Sequence, residues 1–496
     1  MVTPVNSTSP TTKTSIFYLN DIHGNIDKME RVKSAVNQFD VQKKQNPKID
    51  ALKLCSGDTL IGLNDKKNQT AVDFLNAVKF DAITLGNHEM DNPIKKATQF
   101  YRQIKTPIIT TNLVVPEGHE LQKEVVTSLV KDINGTKYGI IGIQPLDFST
   151  RATSMDWFSH GVKVLDKEKT IQRIQQEVDK LEKKGIDKIV LLSHSGYAAE
   201  KEIAQKTEGI DVIIGGHSHD LVFGVKDGEN LLYSKRNEPV VLTQSYKDGK
   251  YFGVLNLGFD DKGRIVEAQN NVTPTKSYSS DLLMTYFTNQ NMGAPKVIGR
   301  VLNKYKLKTN GMLEENPYSN LITDAMKTQM KTDIAILNAA NIRGQLPVGE
   351  ITDRDVTELT PFNNKIIIIK INQKELVDAI KLSGKSFDKP DMKPGIMQLS
   401  GVTYKMNKKG ELLEANFINK EGQKVPIDVN NPDENITYTT AIDDYYGSGR
   451  ENFSMLNKID KALAVYDFDK DKLAIDYIKE RKKPLEFKPD GRLIIV

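Results

Sequence analysis

Leu85-Gly86-Asn87-His88-Glu89-Met90-Asp91 carries the reading of the whole chain. It follows a short apolar run (Ala82, Ile83, Leu85) that predicts a buried strand, and Gly86 then lets the backbone turn sharply. The turn presents an amide oxygen, an imidazole and two carboxylates at a strand end, the place where α/β proteins bind ligands. Alone, Gly-Asn-His-Glu is equally compatible with an ordinary polar loop. What decides between the two is the company this stretch keeps.

Upstream, residues 15–20 (SIFYLN) predict a strand ending in Asp21-Ile22-His23-Gly24-Asn25, and residues 51–56 (ALKLCS) one ending in Gly57-Asp58-Thr59. Downstream, residues 188–193 (KIVLLS) deliver His194, and residues 211–214 (DVII) deliver Gly215-Gly216-His217-Ser218-His219. Helices are expected over 26–39, 70–78 and 170–184, so strands alternate with helices and the polar motifs fall at strand ends. Of only seven histidines, five (His23, His88, His194, His217 and His219) directly follow an apolar run. Histidines kept for packing alone would not favour that one position. His119 and His160 lack such a strand and are expected in exposed loops, while Cys55 reads as a small core residue.

These strand ends together supply Asp21, His23, Asp58, Asn87, His88, Asp91, His194, His217 and His219. Oxygen and imidazole donors without thiolate suit Zn, Mn, Fe, Co or Ni, not a structural thiolate zinc site. One carboxylate, most simply Asp58, can bridge two divalent ions about 3.5–4 Å apart, the spacing of two-metal hydrolysis. The expected chemistry is a water made acidic between the ions and aimed, as hydroxide, in line at phosphorus. His88 need not be a ligand. An imidazolium beside the ions can stabilise developing charge or protonate the leaving oxygen, with Asp91 holding its tautomer. Each piece also has a bland reading: Asp21-x-His23 and Gly57-Asp58 are weak alone, and alternation could send His217 and His219 apart.

Asp21-Ile22-His23, Gly57-Asp58, Gly86-Asn87-His88-Glu89, His194 and Gly216-His217-Ser218-His219 resemble the full signature of calcineurin-like metallophosphoesterases. The resemblance implies a dinuclear site on an α/β fold, a four-layer β-sandwich flanked by helices. By motif position, Asp21, His23, Asp58 and His219 resemble the ligands of one metal. Asp58, Asn87, His194 and His217 resemble those of the other, and His88 with Asp91 matches the catalytic His-Asp pair. Gly57-Asp58-Thr59-Leu60-Ile61-Gly62 departs from the Gly-Asp-x-x-Asp-Arg-Gly of protein serine/threonine phosphatases. Gly86-Asn87-His88-Glu89-x-Asp91 is similar instead to the 5′-nucleotidase branch, which includes UDP-sugar hydrolases and 2′,3′-cyclic nucleotide phosphodiesterases.

At 496 residues the chain exceeds one ordinary core, so two large domains are expected. Residues 1–14, rich in Ser, Thr and Pro, read as a disordered lead-in and 15–275 as the metal-bearing domain. Residues 276–300 read as a linker and hinge helix, broken at Asn291-Met292-Gly293-Ala294-Pro295, and 301–496 as a second α/β domain. Lysine-dense 470–483 read as a solvated helix face. A net charge of +4, from 69 basic and 65 acidic residues, makes no case for a nucleic-acid polymer or a membrane surface. No apolar run of about 18 residues is present to span a bilayer. One cysteine excludes an intrachain disulfide framework. Without an apolar signal core the chain reads as cytoplasmic, whereas the resemblance implies the periplasm or cell surface. Oligomeric state has no signature in the sequence.

Three segments of the second half favour substrate binding over a purely structural role. Asn338-Ala339-Ala340-Asn341-Ile342-Arg343-Gly344 follows a strand and offers a cation, and Pro361-Phe362-Asn363-Asn364 sets a ring beside two amides. Asp443-Asp444-Tyr445-Tyr446-Gly447-Ser448-Gly449 adds rings on a flexible loop. Arginine and amides hold phosphate or ribose oxygens and two rings sandwich a base, although any single aromatic is more often core. These segments resemble the C-terminal domain of 5′-nucleotidases. Its Asn-Gly-Gly-x-Ile-Arg motif maps to Asn338 and Arg343, its Pro-Phe-Gly-Asn motif to Phe362 and Asn364, and its second stacking ring to Tyr445. Two departures matter. Ala339-Ala340 replaces the glycine pair, and Gly449-Arg450-Glu451-Asn452-Phe453 stands where the family has Gly-Gly-Asp-Gly-Tyr, leaving Glu451 to accept from a ribose hydroxyl. The expected activity is metal-dependent removal of phosphate from nucleotides. Its rivals are a cyclic-nucleotide phosphodiesterase or UDP-sugar hydrolase of the same fold, and a nucleotide-binding surface protein without turnover.

Overall fold

In the strand Thr12–Leu19, Ile16 and Tyr18 face one side of the sheet and Phe17 and Leu19 the other, and all four are buried. A strand covered on both faces has to be a continuous apolar run, which is how this segment reads. The computed structural model describes residues 3–4, 9–148, 156–309, 311–362, 364–388 and 394–496, and the chain divides into two units, Met1–Gly293 and Ala294–Val496.

The first unit has four layers. In an eight-stranded sheet, Thr12–Leu19, Asp50–Cys55, Ala82–Thr84 and Ile108–Ile109 run parallel side by side. In a six-stranded sheet, Thr136–Ile143, Ile189–Ser193, Val212–Ile214 and Pro239–Thr243 do the same. The two sheets share a core of inward-facing side chains such as Ile16, Leu52, Leu54, Ile140, Val190 and Ile214. Helices Ile26–Gln45 and Asp65–Val78 cover the outer face of the first sheet, and Lys167–Glu182 and Tyr197–Lys206 that of the second. Parallel strands send all their carboxyl ends to one edge, so every histidine motif emerges at the same rim.

Two expectations give way here. Strand pairing reaches into the segment expected to be a disordered lead-in: Thr12–Leu19 pairs from Thr12 with Phe259, and Thr3–Pro4 pairs with Glu267 and Ala268. Edge pairing with an available strand orders polar residues that composition alone would leave loose; residues 1–2 and 5–8 lie outside the described residues. The expected hinge helix, Leu282–Met292, is docked on the first unit. Met284 is buried, Thr285 Oγ1 donates to Glu30 Oε2 (2.9 Å) and Asn291 Nδ2 to Asp73 Oδ2 (2.8 Å), so the units divide after Gly293.

The second unit is built on a five-stranded sheet in the order Met397–Ser400, Ile334–Asn338, Thr437–Asp443, Ile366–Asn372, Ala464–Tyr466. Helices Pro317–Met330 and Lys470–Arg481 pack on one face, with Ala335 and Leu337 beneath them. Helix Gln373–Gly384 and a four-stranded sheet pack on the other, over Ile334 and Ile336. Lys470 contradicts the solvated-face expectation: it is fully buried, because carboxylates facing it offset its charge. No helix among the described residues is long and apolar enough to cross a membrane.

Tyr18 ties the sandwich together. Its Oη lies 2.6 Å from Thr243 Oγ1 on the facing sheet and donates to Asn270 Oδ1 (2.9 Å) on its own. The ring fits only because its strand partner is Gly253, where a Cβ would lie 1.9 Å from Tyr18 Cζ. Gly253→Ala is therefore expected to cost about 1–3 kcal/mol by overpacking, measured as a lowered urea midpoint.

Candidate functional site

The rim is assembled by backbone before side chains meet. Asp21 N–H donates to Gly57 O (3.0 Å), His23 N–H to Asp58 O (2.8 Å) and Gly24 N–H to Thr59 O (2.9 Å), extending the pairing of the two strands past their ends. Asn25 then caps the helix Ile26–Gln45 through Lys28 N–H. Five of the expected donors sit at left-handed φ: Asp21, His23 and Asp58 at 51°, His217 at 76° and His219 at 63°. Each costs a non-glycine residue on the order of 1 kcal/mol, and strain of this kind gathers where side-chain direction matters more than stability.

Gly86 is needed for a reason other than turning. Its φ is not left-handed, but a Cβ there would lie 2.1 Å from Asp58 Oδ1. The space it leaves lets His88 N–H donate to that same oxygen (2.8 Å). Glu89 organises the loops from below. Its Oε2 accepts from Asp58 N–H (2.8 Å) and Gly86 N–H (2.7 Å), its Oε1 from Thr59 N–H (2.6 Å) and Leu60 N–H (3.0 Å). Burial, with the charge of Asp58 adding to it, pushes its carboxyl up to about 7.

The side chains converge. His23 Nε2 lies 3.6 Å from Asp21 Oδ1 and 3.4 Å from Asp58 Oδ2, and His219 Nε2 is 3.4 Å from Asp21 Oδ1. His194 Nε2 is 3.1 Å from Asp58 Oδ2 and 3.7 Å from Asp21 Oδ1. Asn87 Oδ1 is 3.0 Å from His217 Nδ1, and His217 N–H donates to Asp21 Oδ2 (3.0 Å). His217 and His219 thus converge instead of alternating. Among the described residues, three sets of donors lie close enough to hold an ion: Asp21, His23 and His219; His23, Asp58 and His88; Asp21, Asp58 and His194. His88 Nδ1 lies 2.6 Å from Asp91 Oδ2, an oxygen that also accepts from Gly62 N–H (2.8 Å).

His194 is the clearest sign that a cation belongs here. Its Nδ1 is held 2.6 Å from Ser56 O, while Nε2 is buried and makes no hydrogen bond although two carboxylates lie before it. That is the geometry of a nitrogen poised to ligate an ion between itself and the carboxylates. Burial opposes its charge, yet Asp58 and Asp21 drive its pKa up to about 10. For Asp58, the imidazoles of His194 and His88 outweigh burial and hold the carboxyl well below the usual range. His219 goes the other way, lowered to about 4 by burial. A ligating imidazole must be neutral, so the negative potential that protonates His194 is what a divalent ion would take over.

Several supporting residues carry no signature in the sequence. Asp248 lies 3.1 Å from His23 Nδ1, Asn20 Nδ2 donates to Asp21 Oδ2 (2.7 Å), and Asp147 Oδ1 lies 3.2 Å from His217 Nε2. Glu200 lies beneath the 215–217 turn, accepting from Gly216 N–H (3.3 Å) and Gln244 Nε2 (2.8 Å). Only Glu89 lay within a quoted motif; Asn20 directly precedes one, Glu200 lies on the helix Tyr197–Lys206, and Asp147 and Asp248 come from loops brought close by the fold. His160 is exposed and His119 partly so, their ring centroids 6.0 Å apart, and Cys55 is buried.

In the second unit, the Arg343 guanidinium lies 5.0 Å from the Phe362 ring centroid. Tyr445 Oη donates to Glu451 Oε1 (2.9 Å), and Asn341 Nδ2 donates to Asn338 Oδ1 (3.3 Å). Asn364 Oδ1 lies 3.5 Å from Lys470 Nζ, and Asn363 lies outside the described residues. Phe362 and Tyr445 are half-buried, unlike core rings such as Tyr446.

Residues 14–221 match the calcineurin-like phosphoesterase family model, and residues 297–458 match that of the 5′-nucleotidase C-terminal domain. The trifunctional nucleotide phosphoesterase protein YfkN of Bacillus subtilis is 23% identical over 97% of this chain, which spans 34% of that protein's length. The snake venom 5′-nucleotidase of Naja atra is 26% identical, over 95% of this chain and 96% of its own. The solved 5′-nucleotidase precursor from Thermus thermophilus shares the fold with a TM-score of 0.78 at 23% identity, covering 98% of this chain and 99% of that one.

Glu89→Gln tests the loop architecture. The amide nitrogen cannot accept, so two backbone N–H groups lose their acceptor at a cost of about 2–4 kcal/mol. The expected outcome is a lower unfolding midpoint together with reduced metal content by elemental analysis.

Proposed function

The chain belongs to the calcineurin-like metallophosphoesterases of 5′-nucleotidase architecture, and from that premise we propose that it removes phosphate from nucleotides. As a member of that family it is a hydrolase of phosphate ester bonds. The observation that carries the site assignment is the position of Asp58, one carboxylate within reach of both His23 and His194. Asp21, His23, Asp58 and His219 would hold one divalent ion, and Asp58, Asn87, His194 and His217 a second. When bound, such ions supply positive charge for the phosphoryl oxygens and an acidified water. Oxygen and imidazole donors of this kind suit Zn, Mn, Co or Fe.

The remaining work falls to His88 and Asp91. Asp91 Oδ2 already accepts from Gly62 N–H, so its contact with His88 Nδ1 is read as Nδ1–H donating to the carboxylate. That leaves Nε2 to bear the proton given to the leaving oxygen. Base and ribose recognition is assigned to the second unit: Arg343 and Asn338 for polar oxygens, Phe362 and Tyr445 for stacking, Asn364 and Glu451 for the ribose.

His88 also stands in one of the three donor sets, with His23 and Asp58, so metal content separates its two roles. His88→Ala should lower kcat by roughly 10²-fold or more with metal content unchanged; loss of an ion would make it a ligand instead. Phe362→Ala or Tyr445→Ala should raise KM for nucleotides and spare p-nitrophenyl phosphate, whereas equal losses on both substrates would point to misfolding.

A diester-cleaving reading draws on the match to the trifunctional nucleotide phosphoesterase over nearly the whole chain, and on the changed residues 339–340 and 450–452. A panel of AMP, UMP, UDP-glucose, 2′,3′-cAMP and bis-(p-nitrophenyl) phosphate with added Mn or Co decides between them. Monoester turnover should dominate, and dominant diester turnover would overturn the proposal. A metal-replete protein inert on every substrate would favour a binding role.

A further inference from the structure

Lys470 is the first residue of the helix Lys470–Arg481, and its side chain is 0% exposed. A lysine is poorly placed there on two counts. Burial disfavours its charge, and a helix N-terminus repels a cation. Helix stability therefore gives no reason for it, and its contacts supply another. Lys470 Nζ lies 3.0 Å from Asp469 Oδ1 and 3.5 Å from each of Asp443 Oδ2, Asn364 Oδ1 and the carbonyl oxygen of Phe362.

Two of those partners belong to the 361–364 segment, and Asp443 opens the 443–449 segment. Asp443 extends the chain of contacts in both directions. Its Oδ1 accepts from Tyr446 N–H (3.0 Å), which caps the turn carrying Tyr445, and its Oδ2 accepts from Asn341 Nδ2 (3.2 Å). Asn341 lies in the 338–344 segment, where Arg343 N–H donates to Leu359 O (2.9 Å) and the guanidinium lies over Phe362. One buried ammonium and one buried carboxylate thus link all three segments assigned to substrate recognition.

We propose that Lys470 is a positioning residue for nucleotide specificity, setting the placement of Phe362 and Asn364 against that of Tyr445 through its contacts with the 361–364 segment and Asp443. This rests on the reading of Phe362 and Tyr445 as the rings that hold the base. The buried ion pair is weak as a source of net stability, because desolvation consumes most of the Coulomb gain, but it defines where the charged groups must sit. An apolar side chain of similar length would fill the volume and leave the segments free to shift.

The test uses the full metal-loaded chain with Lys470→Met, Lys470→Gln and Phe362→Ala. Lys470→Met should raise KM for AMP about tenfold or more with kcat within about threefold, the pattern left when groups that bind ground and transition state equally are misplaced. The ratio of kcat/KM on AMP to that on p-nitrophenyl phosphate should fall accordingly. Lys470→Gln, which keeps an N–H donor, should recover part of the KM. A normal KM in Lys470→Met alongside a raised KM in Phe362→Ala would overturn the role of Lys470 while leaving the stacking rings in place. If neither variant moved KM, the assignment of the rings themselves would fall. Loss of the folded second unit in both lysine variants, seen as a missing unfolding transition, would also overturn it, because the cation would then hold the unit and not the segments.

Discussion

Asp21 and Asp58 are both fully or nearly fully buried, at the ends of neighbouring parallel strands, and their negative charge must be answered from within the protein. Two carboxylates in one desolvated space would ordinarily force one to stay protonated. Here the imidazoles of His23 and His194 stand within 3.1–3.7 Å of them, which favours the ionised pair, and the space between could hold a cation. The left-handed residues, the space at Gly86 and the four N–H bonds collected by Glu89 all serve to hold that charge arrangement in position. A phosphoester group, itself anionic, could not approach such a site without the compensating cations.

The second unit answers a similar problem with opposite sign. A buried lysine is surrounded by Asp443, Asp469, an amide oxygen and a carbonyl oxygen. Asp443, Asp469 and Lys470 are all buried, and burial raises the Asp469 carboxyl to about 7 even though Lys470 pulls it down. In both units polar groups that cost stability are kept where they define the direction of neighbouring side chains.

The fold explains why the candidate metal donors can come from such distant parts of the chain. Five separate segments, spanning Asp21 to His219, end on one rim because their strands run parallel within each sheet of the first unit. The helices that return the chain lie on the outer faces, away from that rim. The match of residues 14–221 to the calcineurin-like phosphoesterase model covers this architecture, and the match of 297–458 covers the three segments of the second unit up to Tyr445 and Glu451.

Apolar runs ending in Asp, Asn, Gly and His were enough, in the sequence alone, to place the strands and the donors at strand ends, while the layered sandwich was implied by the family those motifs resemble. These are local patterns, written within a few residues of each other. Reach across the fold is not local. Asp248 beside His23 and Glu200 beneath the 215–217 turn become partners only once the chain has folded. The same holds for Gly86, whose turn-like look hides a steric need set by Asp58, and for Leu282–Met292, docked by Glu30 and Asp73 where the sequence suggested a connecting helix and the family resemblance a hinge. Lys470 makes the point most plainly. The lysines that follow it in sequence lie in water, its neighbours in space are carboxylates in the interior, and a lysine goes where its charge is met.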